Sequence, residues 1–277
     1  MLKVDLHLHT RHSFDCDYKV ETIVRAAEAA GLDAVAITDH DTMSGCAVAR
    51  KAARKMTIIP GMEISTWKGT HLIGLFLKEE IQSRDILDVI DEIHDQGGLV
   101  LLPHPFRRST GLMYGRDKHG LYDGDEIREI LNRLDLVELA NHRSEIKEIT
   151  DTDAFFSTYP ELPLVGGSDA HEPENVGKAH TVLEISGDNA PETIRRALLK
   201  APRIIRFEAY ASTSGTDETV RMPLSRTRGW LGSTQQVLPT IRKSFRSLYN
   251  RSTRVIFNWR KKGIRKEKSQ ITDVNVR

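Results

Sequence analysis

The chain has 277 residues, 39% of them apolar and 29% charged, with a formal net charge of +1. That length suits one large domain with an appendage or two small domains, and the apolar share is enough to bury a sizeable core. No run of about 18 apolar residues is present to cross a bilayer as a helix, and two cysteines, Cys16 and Cys46, are too few for a disulfide framework.

The opening MLKVDLHLHT lacks the layout of a secretory signal, so a reduced, cytoplasmic setting is expected. The small net charge conceals a division. Residues 1–220 carry 25 Lys/Arg against 37 Asp/Glu, whereas residues 221–277 carry 15 against 2. The last fifth of the chain therefore follows different rules from an acidic body.

KVDLHLH reads as a strand in which Val4, Leu6 and Leu8 face one way and Asp5, His7 and His9 the other. VETIVRAAEAAG carries apolar residues at Ile23, Val24, Ala27 and Ala30 and then Gly31, the pattern of a helix with a glycine stop. DAVAITDHD follows as a strand ending in polar residues, and MSGCAVARKAARK as a helix. MTIIPGMEIST and HLIGLFL read as strands and DILDVIDEIHDQGG as a helix closed by a glycine pair. LVLLPHP is a strand, DEIREILNRL a helix, LDLVELAN a strand, LPLVGGSDAH a strand running into polar residues, and PETIRRALLKA a late helix. Repeated βα units predict a parallel sheet, and seven or so strands in about 200 residues suggest closure into a barrel.

The strand-like runs end in chemistry: His7 and His9, then Asp39 and His40, then Glu63, His104, Asn141, and finally Asp169 and His171. In α/β folds the C-terminal ends of parallel strands share one mouth. A lone His-x-His is often an ordinary hydrogen-bonding pair. Six elements delivering imidazoles, carboxylates and an amide to one place point instead to metal binding.

The motifs H-x-H-T at 7–10, T-D-H-D at 38–41, G-M-E-I at 61–64, H-P at 104–105 and S-D-A-H at 168–171 resemble, in order and rough spacing, those of the PHP family. These are the polymerase and histidinol phosphatase metal-dependent phosphoesterases. The resemblance spans residues 2–205, and LPLVGGSDAHEPENVGKAHTVLE is similar to the C-terminal part of stand-alone members. It implies an α/β fold, a distorted (β/α)7 barrel over residues 1–205; the charge division adds a basic extension at 221–277 beyond a linker at 206–220.

It also implies up to three divalent metal ions. His7, His9, Glu63 and Asp169 would hold one. Glu63 would bridge to a second, completed by His71 and His104. Asp15, His40 and His171 would hold a third. Asp15 is preferred to Asp17, and the alternative for His71 is a polar residue at a strand start. Mixed imidazole and carboxylate donors suit Zn, Mn or Fe, which can activate water to hydroxide and clamp phosphate oxygens. The candidate catalytic set is Glu63, Asp169, His171 and Arg107.

Supporting groups can be read as well. Asp39 could orient His40, and Asp5 could orient His7 or His9, through the ring nitrogen away from the metal; either could instead cap a helix. Arg107, ahead of Arg108, could bind a phosphate oxygen pair, and Asn141 and Arg143 could reach substrate. His12, His94, His119, His142 and His180 are not expected as ligands, although His12 and His142 are candidate proton donors. The glycine-bearing insert 109–126 could form a lid.

Within 221–277, apolar residues at 237, 238, 241, 245, 248 and 249 have helical spacing among arginines and lysines. Self-docking on the acidic body or homo-oligomerisation is expected first, and nucleic-acid or anionic-membrane contact next. Disorder is expected after about residue 265. The expectation is a metal-dependent phosphoesterase acting on a phosphorylated small molecule or nucleotide. The alternatives are an exonuclease on short nucleic acids and a non-catalytic metal-binding module.

Overall fold

The computed structural model describes residues 1–113 and 122–208, together with the backbone of Leu224–Ser225. β1 (Leu2–Asp5) begins a mixed sheet. It lies parallel to β2 (Ala34–Ile37), and β2 lies parallel to β3 (Thr57–Ser65). Helix α1 (Val20–Ala29) joins the first two strands and buries Val20, Ile23, Val24 and Ala27 at helical spacing. The chain reverses beyond it at Gly31, whose φ of +70° an L side chain rarely adopts. Helix α2 (Ser44–Ala52) joins β2 to β3.

The expectation of a wholly parallel sheet is corrected at the next step. β4 (His71–Leu75) returns from β3 without a helix between them and pairs antiparallel both with it and with β5 (Leu99–Leu102). Because β3 continues for nine residues to pair with β4, Glu63 lies within the strand, opposite Ile73, rather than at its end. Helix α3 (Ile86–Asp95), capped by the Asp85 carboxylate on Leu87 N, precedes β5. Parallel pairing resumes through α4 (Gly124–Asn132), β6 (Leu136–Ala140) and β7 (Leu164–Gly166).

Several elements went unread in the sequence. Helix α5 (Ile146–Phe156) buries Ile149, Thr152, Phe155 and Phe156, so a threonine interrupts its apolar stripe. β8 (Ala179–Leu183) pairs antiparallel with β1 and with β9 (Arg203–Phe207), which meets the two-residue β10 (Leu224–Ser225). In β9 the buried Arg203 donates to the carbonyls of Leu198 and Ala201, at the end of helix α6 (Pro191–Lys200). A basic residue there suits the negative end of the helix. The basic extension lies outside the described residues apart from β10.

One apolar cluster draws on every strand from β1 to β8, including Val4, Ala36, Ile59, Ile73, Leu101, Leu136, Val165 and Leu183, and on Ile194 and Leu198 of α6. Side chains from all these strands can meet only if the sheet curls around them, so this cluster fills a nearly closed barrel. Helices α1 and α2 pack outside β2 and β3, and α3, α4 and α5 outside β3–β6. Among the described residues no helix is long and apolar enough to cross a membrane.

Closure comes where the chain leaving β7 meets the chain leaving β1. Asp169 N donates to His7 O at 2.8 Å and His9 N to Ala170 O at 3.0 Å, with a parallel bridge between Leu8 and Ala170. Below this seam the Thr181 hydroxyl joins Gly166 N and O. A Cβ on Gly167 would stand 2.6 Å from His7 Cβ and 2.9 Å from His7 N, so glycine is required for the two segments to touch. Gly167→Ala is expected to destabilise the fold by about 1–3 kcal/mol, read as a lower urea midpoint; an unchanged midpoint would mean that the seam relaxes freely.

Candidate metal centre

The seam sets His7 and His9 side by side at the barrel mouth, both fully buried, with their Nε2 atoms 3.1 Å apart. Glu63, 1% exposed, faces them from β3. Its Oε2 lies 3.1 Å from His7 Nε2 and 3.2 Å from His9 Nε2, while its Oε1 lies 2.8 Å from His71 Nδ1 and 3.2 Å from His104 Nε2. Asp169 Oδ1 completes the first group at 3.5 and 3.4 Å from the same nitrogens of His7 and His9. Toward solvent, Asp15 Oδ2 stands 2.9 Å from His171 Nε2 and 3.5 Å from His40 Nε2.

All nine residues named as candidate ligands thus meet in one cluster. They form four overlapping groups whose ligand atoms lie within 4.8 Å of one another: His7–His9–Asp169, His7–Glu63–His104, His40–Glu63–His71, and His9–Asp15–His40–His171. The donor set of imidazoles and carboxylates fits divalent transition metals.

The electrostatics point the same way. Burial opposes charge on His7, but Asp169, Glu63 and Glu138 hold it well above the usual histidine range. Burial likewise opposes charge on His9, yet hydrogen bonds with Asp169 and Glu63 raise it to about 9. Burial would raise Glu63 and Asp169; the facing His7, with Arg107 beside Asp169, instead keeps both carboxyls well below their ordinary range. Burial, with Arg107 nearby, lowers His104 to about 4. Buried carboxylates need countercharge, and the raised His7 and His9 are groups that can supply it as protons. A divalent ion can take their place, since metal binding to such groups releases protons.

One nitrogen is left over. His40 Nδ1 is buried with no hydrogen-bond partner among the described residues, 3.6 Å from Glu63 Oε2. A buried ring nitrogen without a partner is costly unless a cation or proton reaches it.

The neighbours hold the rings in a ligand-ready arrangement. His7 Nδ1 contacts Glu138 Oε1 at 3.1 Å and His9 Nδ1 contacts Ser13 Oγ at 3.0 Å, which leaves both Nε2 atoms facing the carboxylates. Glu138 also accepts from His104 N and Asn141 Nδ2 at 2.9 Å each. His104 and Asp169 both have positive φ, +27° and +54°, a backbone strain of roughly 1–3 kcal/mol each that the surroundings must hold. The bonds His104 N to Glu138 and Asp169 N to His7 O do so.

Sequence reasoning missed Glu138 and Ser13. The available signal for Glu138 was an acidic residue inside the apolar run LVELA. Two orienting roles are corrected. Asp39 receives Thr10 N and Oγ1 at 2.6 and 2.8 Å and touches no ring nitrogen of His40. Asp5 accepts the backbone N–H groups of His7, Ser168 and Gly177, and its burial pushes it up to about 6. Both carboxylates pin loops rather than imidazoles.

Arg107 reaches into the centre, donating to Asp169 Oδ2 at 2.6 Å and to Asn141 Oδ1 at 3.0 Å, while Arg108 is exposed. Arg143 Nη1 lies 3.0 and 3.2 Å from the two ring nitrogens of His171. The remaining histidines face elsewhere: His12 to Ser44 Oγ, His94 to Asp135, His142 to Glu208 O and His180 to Gly177 O. His119 and residues 114–121 of the expected lid lie outside the described residues.

The PHP domain family model matches residues 5–152, and the PHP-associated model matches residues 155–201. An uncharacterised protein of Methanocaldococcus jannaschii is 31% identical over 161 residues, covering 53% of this chain and 94% of the relative. The 5'-3' exoribonuclease of Escherichia coli is 40% identical over 78 residues, 26% of each chain.

Among solved structures, a two-domain protein of Bacteroides vulgatus containing a predicted PHP-like metal-dependent phosphoesterase superposes with a TM-score of 0.59. It shares 22% identity over 74% of this chain and 64% of its own. A lesion-specific endonuclease of Pyrococcus furiosus gives a TM-score of 0.52 at 17% identity, over 71% of this chain and 55% of its own. At these identities the two structures speak to the fold alone.

Glu138 links two ring-bearing segments to the Asn141–Arg107 pair. Glu138→Gln is expected to weaken Mn or Zn binding roughly 10- to 100-fold, measured by competition with a chromophoric chelator. Unchanged affinity would make Glu138 a structural anchor only.

Proposed function

The chain belongs to the PHP family, and on that premise we propose that it is a metal-dependent hydrolase of phosphate esters, acting on small organic phosphates or nucleotides. The observation that carries this reading is Glu63. Its two oxygens are divided between His7 and His9 on one side and His71 and His104 on the other, as a bridging carboxylate requires.

In this proposal His7, His9, Glu63 and Asp169 hold one ion, Glu63, His71 and His104 a second, and Asp15, His40 and His171 a third. When bound, Zn, Mn or Fe supplies Lewis acidity that polarises the ester and lowers the pKa of water. The protein positions the reactants. Ser13 and Glu138 hold the rings of His9 and His7, and the Arg107 guanidinium, braced by Asp169 and Asn141, offers paired N–H donors to phosphate oxygens. Arg143, within 3.2 Å of both ring nitrogens of His171, offers a second guanidinium.

An exonuclease acting on short nucleic acids is the second reading, supported by the aligned stretch of the Escherichia coli exoribonuclease. A non-catalytic metal-binding module is disfavoured because all nine candidate ligands are present and gathered; loss of function ordinarily erodes such a set.

The test is hydrolysis by the Mn-loaded chain across sugar phosphates, mononucleotides, nucleoside bisphosphates and short oligonucleotides. Activity should require metal and vanish in Glu63→Ala; no turnover with metals shown to be bound would favour the module. Arg107→Lys, which keeps charge but not the planar fork, is expected to lower kcat/KM roughly 10- to 100-fold. An effect below about twofold would remove Arg107 from phosphate binding.

A further inference from the structure

Four large apolar side chains are exposed among the described residues: Met1, Phe14, Tyr18 and Trp67, at 76%, 83%, 40% and 82%. A singly exposed apolar residue is ordinary. Three of these four, however, are aromatic and sit on segments that carry or adjoin the candidate ligands. Phe14 and Tyr18 lie on either side of Asp15, and Trp67 lies in the turn of the β3–β4 hairpin that leads into His71. Away from the mouth the aromatic side chains pack inward, as Phe155, Phe156 and Phe207 do.

Phe14 is the best placed. Its ring stacks on His40 at 4.9 Å between centroids and 28° between planes, so one face is covered by the imidazole and the other is open. The loop beneath is tied at both ends. Arg11 N donates to Tyr18 O at 2.7 Å, Ser13 N to Thr10 O at 2.8 Å, and His40 N to Ser13 Oγ at 2.8 Å. A tethered aromatic plane loses little freedom when a ligand stacks on it, which favours binding. Next to this plane stands Asp15, which joins His40 and His171 in one group, and beyond them are the guanidiniums of Arg107 and Arg143.

Resting on the phosphoesterase reading above, we propose that Phe14 is a stacking platform for the nucleobase of the substrate. The site then takes nucleoside phosphates, free or at the end of a single strand, in preference to phosphates without an aromatic group. The phosphate occupies the cationic side of the mouth and the base the open face of Phe14. Sequence-tolerant stacking is the expected recognition, because every base offers a π-face.

The test compares adenosine 5'-monophosphate with ribose 5-phosphate on the full metal-loaded chain, by hydrolysis and by calorimetric binding. The wild type should favour the nucleotide in kcat/KM. Phe14→Leu retains an apolar cover on His40 but no flat face, and should lower the nucleotide-to-ribose-phosphate ratio about tenfold; Phe14→Trp should keep it. An equal effect of Phe14→Leu on both esters, or a wild type that prefers ribose 5-phosphate, overturns the proposal. A chain that hydrolyses neither ester is run on the bisphosphates and oligonucleotides named above, and turnover of none of these sinks the phosphoesterase reading instead. The binding ratio of the two compounds, wild type against Phe14→Leu, then decides the stacking by itself.

Discussion

Two carboxylates, Glu63 and Asp169, are held almost without exposure at the mouth of the barrel, and the rest of the site is an answer to that burial. An unpaired charge cannot be withdrawn from water without a large penalty. Four imidazoles face Glu63 within 3.2 Å, and Asp169 is met by His7, His9 and Arg107. Such crowding is stable only with positive charge in its midst, whether protons on the rings or metal ions between them. The same electrostatic demand therefore explains the raised histidines, the depressed carboxyls and the fit to divalent cations.

Holding those groups together places demands on the backbone. The segments after β1 and β7 must touch, which requires Gly167, and two site residues must accept left-handed backbone conformations. Glu138 and Asp5 meet much of this demand from beneath, one through His7, His104 and Asn141, the other through the N–H groups of His7, Ser168 and Gly177. Rigidity here is the means by which nine side chains from distant parts of the chain keep their separations.

The mouth carries two kinds of group besides the candidate ligands. Guanidiniums stand beside Asp169 and His171, whereas the loop bearing Asp15 and the turn before His71 carry exposed aromatic rings. A cluster that needed only to bind metal would require neither. Arginine forks suit phosphate and flat rings suit heterocycles, so under the proposed function these groups would set substrate choice more than the cluster itself; the fold is shared by proteins with different named activities.

Much of this was legible in the sequence by itself. Period-two alternation placed His7 and His9 side by side, although β1 ends at Asp5 and the alternation breaks at Leu8, which packs with α1 and α2 and not with Val4 and Leu6; the glycine after α1 marked its end, and the order of the five motifs pointed to the PHP family and its barrel. These are local properties, carried within a few residues of each motif. Other features depended on tertiary structure. β4 turned back antiparallel and drew Glu63 into the interior of β3; Asp39 and Asp5 went to backbone and hydroxyl partners instead of imidazoles; Glu138 became the partner of His7, 131 positions away. Phe14 gave no sign in the sequence of standing open to solvent over His40. Hydrogen-bond partners and exposure are set by which distant segments barrel closure brings into contact, and no short window of sequence contains both sides of such a contact.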